Sequence, residues 1–433
     1  MGEANPRTLA GWLERLESRH PEKIDMGLER VRAVASRMGI GKPARQVVSV
    51  AGTNGKGSTV AFIESIAREA GWRVGSYTSP HLLRYNERVR IEGVDVHDDE
   101  LVAAFDAVEA ARDDISLTYF ESGTLAALWL FERAALDLAV LEVGLGGRLD
   151  AVNIVDADCA VITTVDLDHQ EWLGEDIEAI GYEKAGIARP WKPLVLGDDD
   201  PPASVLRHAY AIGASSWRIA NDFFAEPVDA GHWRWREIGF EMLLPMPALS
   251  APVQLRNAAC AIAALRAIGF EAEQDVHARG IARANARARL QRFDRAGIEI
   301  LVDVGHNPQA ARALAEALRA APARGRTLAV YAALSDKDVA GVAAALAGVV
   351  DAWHLAGSGA AGARGLDVEA LASRIRPVAS APSTRWADVG QALQGALGDA
   401  VRGDRILVLG GFHAAGEALL RLAPGEAPSP MAV

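Results

Sequence analysis

Eight residues, Gly52-Thr53-Asn54-Gly55-Lys56-Gly57-Ser58-Thr59, constrain this chain more than any other stretch. They lie between an apolar, β-branched run, Gln46-Val47-Val48-Ser49-Val50-Ala51, and a segment from Thr59 to about Ala70 with helical apolar spacing. Glycines at such a junction let the backbone wrap a phosphate chain and turn successive N–H groups toward it, and the helix N-terminus adds partial positive charge. Lys56 would balance the β- and γ-phosphates, and Ser58 or Thr59 would offer a hydroxyl to a phosphate or to Mg²⁺. Against the general pattern G-x-x-x-x-G-K-[ST], Val50 stands at the first glycine and Gly57 separates the lysine from the hydroxyl, so this is a variant loop. A plain glycine turn with a solvated Lys56 is the bland alternative, and the strand–loop–helix setting argues against it.

The same alternation continues along the chain. Arg73–Tyr77, Leu138–Val143 and Cys159–Thr163 read as further strands, and Tyr119–Ala135 as a helix. Strands alternating with helices predict an α/β fold with a parallel sheet covered on both faces, whose ligands gather at the carboxyl ends of the strands. Residues 216–249 change to short aromatic runs with turns, an antiparallel excursion. Helical spacing returns at Leu255–Ile268 and Val276–Ala286. The segment from Ala286 to Asp294 interrupts it, and a second strand–helix series starts at Ile298, with strands at Thr327–Ala332, Ala352–Leu355 and Arg405–Leu409. The domains are therefore set at 1–288, a hinge at 289–297, and a smaller Rossmann-like α/β domain at 298–433.

Half of the residues are hydrophobic, enough for large cores, and the formal net charge of −12 lacks the basic footprint of a nucleic-acid binder. Two cysteines, Cys159 and Cys260, are too few and too far apart for a disulfide framework, and read as buried small hydrophobes. The opening residues carry charge where an export signal needs a clean apolar run. Pro6 stands where a myristoylation motif needs Ser or Thr, and the tail after Leu422 reads as frayed. Charged residues interrupt the most apolar stretch, 124–147. A cytoplasmic protein with no membrane and no nucleic-acid partner is expected.

Further motifs leave the predicted strands in order: Thr78-Ser79-Pro80-His81-Leu82, then Glu142-Val143-Gly144-Leu145-Gly146-Gly147-Arg148-Leu149-Asp150-Ala151, then Asp166-Leu167-Asp168-His169. Glu183-Lys184-Ala185-Gly186-Ile187 follows, and then Gln254-Leu255-Arg256-Asn257, Arg287-Ala288-Arg289-Leu290, Asp303-Val304-Gly305-His306-Asn307-Pro308 and Asp336-Lys337-Asp338. Each alone has a dull explanation: a turn at Ser79-Pro80, helix or strand caps at Glu142, Asn257 and Asp303, a satisfied histidine, a surface lysine, one arginine of a solvated run. Their joint order resembles the Mur-ligase superfamily, specifically its folate branch of dihydrofolate synthases and folylpolyglutamate synthases.

That resemblance implies a two-domain architecture, a P-loop ATPase domain followed by a glutamate-ligase domain. It implies Asn54, Gly55, Lys56, Gly57 and Ser58 at the nucleotide phosphates, and Asn257, Arg289 and Asp303 as further nucleotide contacts. Arg292 competes with Arg289, because Ala288 and Arg287 replace the usual glycine and proline. It implies Ser79, Glu142 and His169 as magnesium ligands, Lys184 as a lysine carbamylated in related enzymes, and His306 near the reacting phosphate or the incoming amino acid, so that Lys56, Lys184 and His306 are the catalytic candidates. For the pterin-bearing acid it implies Asp25, Met26, Gly27 and Leu28, then Thr118, Tyr119, Phe120 and Glu121, then Leu149, Asp150 and Ala151. Gly410-Gly411-Phe412 replaces a family G-S-[FL], which leaves the amino-acid end open.

The activity implied is ATP-dependent addition of L-glutamate to dihydropteroate, and also to reduced folyl-glutamates, through an acyl phosphate, by a monomer using ATP and Mg²⁺. Polyglutamylation alone and a catalytically silent folate or nucleotide binder are the alternatives. The loop begins about 50 residues into the chain, which leaves no room ahead of it for the UDP-sugar domain of a peptidoglycan ligase.

Overall fold

The computed structural model describes residues 6–20 and 24–423. Residues 1–5, 21–23 and 424–433 lie outside it, and with them the readings of the extreme N-terminus and of most of the frayed tail. Two compact units emerge. The first comprises residues up to His81, Tyr85–Ala248 and Leu255–Asn285; the second comprises Leu82–Arg84, Leu249–Gln254 and the chain from Ala286.

The first unit is built on strands β1 (Gln46–Ala51), β2 (Val74–Tyr77), β3 (Val89–Ile91), β4 (Val94–Asp95), β5 (Leu138–Glu142), β6 (Cys159–Ile162), β7 (Pro193–Leu196) and β8 (Ser215–Arg218). Their order across the sheet is β4-β3-β2-β5-β1-β6-β7-β8. All pairings from β2 to β8 are parallel, and only β3 and β4 run antiparallel, as an edge hairpin. The central strands are apolar on both faces, as a sheet covered on both sides requires: Val47, Val48 and Val50 of β1 and Leu138, Ala139 and Val140 of β5 are fully buried. Beyond β8 comes a separate antiparallel sheet of β9 (Phe223–Pro227), β10 (His232–Glu237) and β11 (Phe240–Pro245). The antiparallel excursion therefore starts later than the sequence reading places it, since residues 215–218 extend the large parallel sheet.

The second unit carries β12 (Gln291–Arg295), β13 (Ile298–Val302), β14 (Thr327–Tyr331), β15 (Ala352–Ala356), β16 (Ser383–Trp386) and β17 (Arg405–Leu409), in the order β12-β13-β17-β14-β15-β16. Five of the six are parallel; β12 pairs antiparallel with β13. The arginine-rich stretch after Ala288 is thus a strand of this sheet, where the sequence reading starts the series at Ile298. Leu82 and Leu83 pack against this unit's core. Among the described residues no helix is long and apolar enough to cross a membrane.

One helix contact fixes the phosphate-loop helix from behind. Helix Lys56–Glu69 lies against helix Gln274–Arg283 so closely that a Cβ on Gly280 would sit 2.5 Å from Ile66 Cα. Ser65 Oγ donates to Gly280 O at 2.7 Å, and Glu69 takes Arg279 and Arg283. Gly280→Val should therefore overpack this contact and lower stability by roughly 2–3 kcal/mol, seen as a lower urea midpoint with an unchanged slope; an unchanged midpoint would contradict the packing described.

Candidate active site

β2, β5, β1 and β6 are adjacent and parallel, so their carboxyl ends share one edge of the sheet. Each feeds a loop that carries sequence-selected residues. The loop after β1 is held open by its neighbour: Thr163 Oγ1 donates to Asn54 O at 2.5 Å, Asn54 N donates to Thr164 Oγ1 at 3.1 Å, and Thr53 N donates to Thr164 O at 2.8 Å. Thr53 Oγ1 further donates to Asp166 O at 3.0 Å and accepts from Asp166 N at 3.0 Å. Only glycine fits where this latch closes, since a Cβ on Gly52 would lie 1.9 Å from Thr163 Oγ1. Gly55, at φ 86, turns the chain into the helix, and Asn257 stands against it with Oδ1 2.6 Å from where a Cβ would be.

Lys56 opens the helix, and its Nζ donates to Gly52 O at 2.9 Å. Gly57 follows in the first turn. Ser58 Oγ and Thr59 Oγ1 are buried without a hydrogen-bond partner among the described residues. Buried hydroxyls are costly to leave unpaired. Two of them in the first turn behind a glycine loop suit a bound oxyanion or a hydrated cation.

Ser79 follows β2 by two residues, and its backbone N–H donates to Glu142 Oε2 at 3.3 Å. Glu142 is the last residue of β5 and is buried. His169 stands in the loop after β6, in a left-handed conformation at φ 53, with its N–H donating to Asp168 Oδ1 at 2.9 Å. No group of three His, Cys, Asp or Glu side chains placed to hold a metal occurs among the described residues. The Ser79 hydroxyl and the Glu142 carboxylate are oxygen donors of the kind Mg²⁺ takes, and that ion keeps several waters and phosphate oxygens rather than a closed protein cage, so His169 would be its one nitrogen contact.

Lys184, in helix Ile177–Ala185, is buried. Burial, and then the charge of Lys56, depress its pKa to about 7, with Asp168 acting in the opposite sense. Asp150 shows the converse. Burial raises its carboxyl to about 6, although Leu145 N (2.8 Å) and Val152 N (3.0 Å) donate to it and Lys56 pulls the other way. Lys56, Lys184, Asp150 and Asp168 thus form one electrostatic group.

The substrate-side segments meet through Arg30. Its guanidinium pairs with Asp25 Oδ2 at 2.6 Å and with Glu121 Oε1 at 3.1 Å, and donates to Asp25 O at 2.8 Å. Glu121 closes a capping box with Thr118, which starts helix Tyr119–Arg133. Phe120 lies against Gly144, and Met26 against Gly146, so the residues near 25, 120 and 145 share one neighbourhood. Leu28 is core, Gly27 and Leu149 are half-buried, and Ala151 is buried behind Asp150.

In the second unit Asp303 directly follows β13, takes Leu290 N (2.8 Å) and Gly305 N (2.7 Å), and is pushed up by burial against the pull of Arg289. His306 Nδ1 lies 2.9 Å from Val304 O, which leaves the lone pair of a neutral ring on Nε2. Gly411 lies beside His306, and the Arg289 guanidinium stands 5.5 Å over the Phe412 ring. Arg292 instead pairs with Glu299 at 2.8 Å. Asp338 caps helix Val339–Leu346, and Lys337 is buried.

The sequence reading passed over Thr163 and Thr164, which stand just ahead of the Asp166–His169 motif; their work is a cross-strand pairing, visible only once β6 is known to flank β1. It also passed over Arg30 and Arg88.

Residues 50–265 match the Mur ligase middle domain and residues 288–412 the Mur ligase glutamate ligase domain, which defines a Mur-ligase-type protein. The dihydrofolate synthase/folylpolyglutamate synthase of Escherichia coli K12 is 47% identical over 406 residues, covering 94% of this chain and 93% of that protein. The structure of E. coli FolC in complex with DHPP and ADP superposes with a TM-score of 0.91 at 44% identity, covering 97% of this chain and 99% of that one. A bifunctional folylpolyglutamate synthase/dihydrofolate synthase with Mn, AMPPNP and L-glutamate bound gives 0.88 at 43% identity, covering 96% and 98%. The chain belongs to the dihydrofolate synthase/folylpolyglutamate synthase family.

Because the Lys184 ammonium is disfavoured in the fold, the unfolded chain binds more protons between about pH 7 and the ordinary lysine pKa, and this residue makes stability rise with pH across that window. In CO₂-free buffer Lys184→Met should be more stable than wild type at pH 6.5, by a gap that shrinks steadily toward pH 9.5. A gap independent of pH would show that Lys184 is not buried as a disfavoured cation.

Proposed function

We propose that this chain is an ATP-dependent ligase that joins L-glutamate to dihydropteroate and adds further glutamates to reduced folyl-glutamates. A carboxylate resists amines, because its charge repels the nucleophile and oxide does not leave. One of its oxygens attacks the γ-phosphorus of ATP and ADP departs. The glutamate nitrogen then attacks the acyl carbon, inorganic phosphate leaves with that oxygen, and the amine loses a proton. Phosphoryl transfer of this kind is mainly positioning and charge neutralisation.

The observation that carries this reading is the latched loop, with Lys56 at its rim and the buried, unpartnered hydroxyls of Ser58 and Thr59 in the following turn. In this assignment Asn54, Gly55, Lys56, Gly57 and Ser58 cradle the phosphates. Asn257, and in the second unit Arg289 and Asp303, contact the nucleotide; the engagement of Arg292 with Glu299 supports Arg289 for this role. Ser79, Glu142 and His169 would hold Mg²⁺, which supplies charge neutralisation to the triphosphate. Asp25, Met26, Gly27, Leu28, Thr118, Tyr119, Phe120, Glu121, Leu149, Asp150 and Ala151 line the acceptor site. His306, with its lone pair on Nε2, serves the reacting phosphate or the incoming amine.

Lys184 is the proposed carbamate. A pKa of about 7 leaves much of it as free amine at neutral pH, able to add to CO₂ with loss of a proton, and the resulting anion would sit in the field of Lys56. A monomer working in the cytoplasm completes the proposal.

Glutamate-dependent ADP release, measured first with dihydropteroate and then with reduced folates, tests the reading. Turnover with both is expected; ATP binding without turnover on either would make the chain a silent binder. Lys56→Met should cut kcat by about 10³-fold or more with the fold intact, and near-wild-type turnover would remove Lys56 from the chemistry. Activity should also fall as pH drops through about 7, and added bicarbonate should lift that acid limb. Indifference to bicarbonate would dismiss the carbamate.

A further inference from the structure

Arg88 closes a short 3-10 turn, Tyr85–Arg88, at the start of β3, on the same sheet edge as Ser79: Thr78 N donates to Arg88 O at 2.9 Å. It is 8% exposed. Its guanidinium lies against two aromatic rings that themselves meet edge to face, 5.1 Å from the centroid of Tyr85 and 5.4 Å from that of Tyr119. Nε donates to His81 Nδ1 at 2.9 Å, so the imidazole presents a lone pair and no charge there. Among the described residues no carboxylate lies within 4 Å of the guanidinium, and the terminal nitrogens have no hydrogen-bond acceptor in the protein.

Arginines are almost never this buried without an anion. Two other arginines of the unit have theirs: Arg30 holds Asp25 and Glu121, and Arg90 pairs with the buried Glu64 at 3.1 Å. The two rings and the Nε–His81 hydrogen bond hold the guanidinium from one side and leave its terminal nitrogens as a two-pronged donor, a shape that matches a carboxylate. Position narrows the partner. Tyr119, one of the two rings, belongs to the Thr118–Glu121 segment of the proposed acceptor site, and Thr78 adjoins Ser79 of the proposed magnesium site. Between the two is where an acid must sit to be phosphorylated.

We propose that Arg88 is the receptor for a carboxylate of the acceptor substrate. The inference rests on the ligase reading above, and deepens it by naming the group that orients the acid. Two carboxylates share this chemistry. One is the reacting benzoate-type carboxylate of dihydropteroate; the other is the non-reacting α-carboxylate that only a folyl-glutamate carries.

The test is equilibrium binding without ATP, using dihydropteroate and its analogue lacking the carboxyl group, on wild type, Arg88→Met and Arg88→Lys. The analogue should bind all three alike, which also shows that the variants keep a folded pocket. Loss of a charged, hydrogen-bonded contact should weaken dihydropteroate about 10- to 100-fold in the Met variant, with partial recovery in the Lys variant. In turnover the KM for the acceptor should rise by a similar factor while the KM for ATP stays within about twofold.

If dihydropteroate is unaffected and only tetrahydrofolate monoglutamate loses affinity, Arg88 reads the α-carboxylate. If both acids bind the Met variant as they bind wild type, or if the analogue is weakened as much as the acid, the proposal is overturned. Failure of wild type to bind either pteridine would instead sink the ligase reading itself.

Discussion

The site depends on a pairing between two strand ends. Thr163 and Thr164, leaving β6, grip the backbone of Thr53 and Asn54, leaving β1, and that grip sets the path of the phosphate loop before any ligand arrives. The grip requires a bare backbone at Gly52 and a left-handed turn at Gly55, so two loop glycines have separate physical reasons. It also carries the chain on to Asp166 and from there to Asp168 and His169. The phosphate loop and the third candidate metal ligand are therefore one assembly. A preformed cradle of this kind lowers the ordering cost of binding a triphosphate, because the loop entropy is lost on folding rather than on binding.

Around that frame the charges are arranged in opposition. Lys56 disfavours a second ammonium at Lys184 and favours ionisation of Asp150, while burial pushes both groups toward neutrality. A lysine with a lowered pKa and an aspartate with a raised one thus both stand in the field of Lys56. Such a site adapts readily to a polyanion. In the proposed reading an arriving triphosphate would take up the charge of Lys56 and so ease the protonation of Lys184 that this charge opposes. In the proposed acceptor site Arg88 is a further buried cation, set against the rings of Tyr85 and Tyr119.

Much of this was legible in the sequence because it is local. The loop Gly52–Thr59, Glu142 at the end of an apolar run, and Asp303 at the end of another each sit where a strand stops, and strand ends can be read from apolar runs. Edge strands escaped because they lack that pattern. β16 is Ser-Thr-Arg-Trp and largely exposed, and β12 is an alternation of charges that reads as a hinge until β13 is seen beside it. The latch at Thr163 and Thr164, the bridge made by Arg30 and the ring contacts of Arg88 depend on which element neighbours which, information that no stretch of sequence contains by itself. Arg88 was silent for a further reason: a lone arginine means little until its burial and its lack of a carboxylate partner are known.

The account turns on a single transfer of oxygen, from the acceptor acid to phosphorus. Dihydropteroate labelled with ¹⁸O in both carboxylate oxygens, turned over with ATP and L-glutamate, should yield inorganic phosphate that carries one labelled oxygen for every amide formed. Unlabelled phosphate, released in step with the amide, would mean that the acid is never phosphorylated and that the cradle built by β1 and β6 serves some other chemistry.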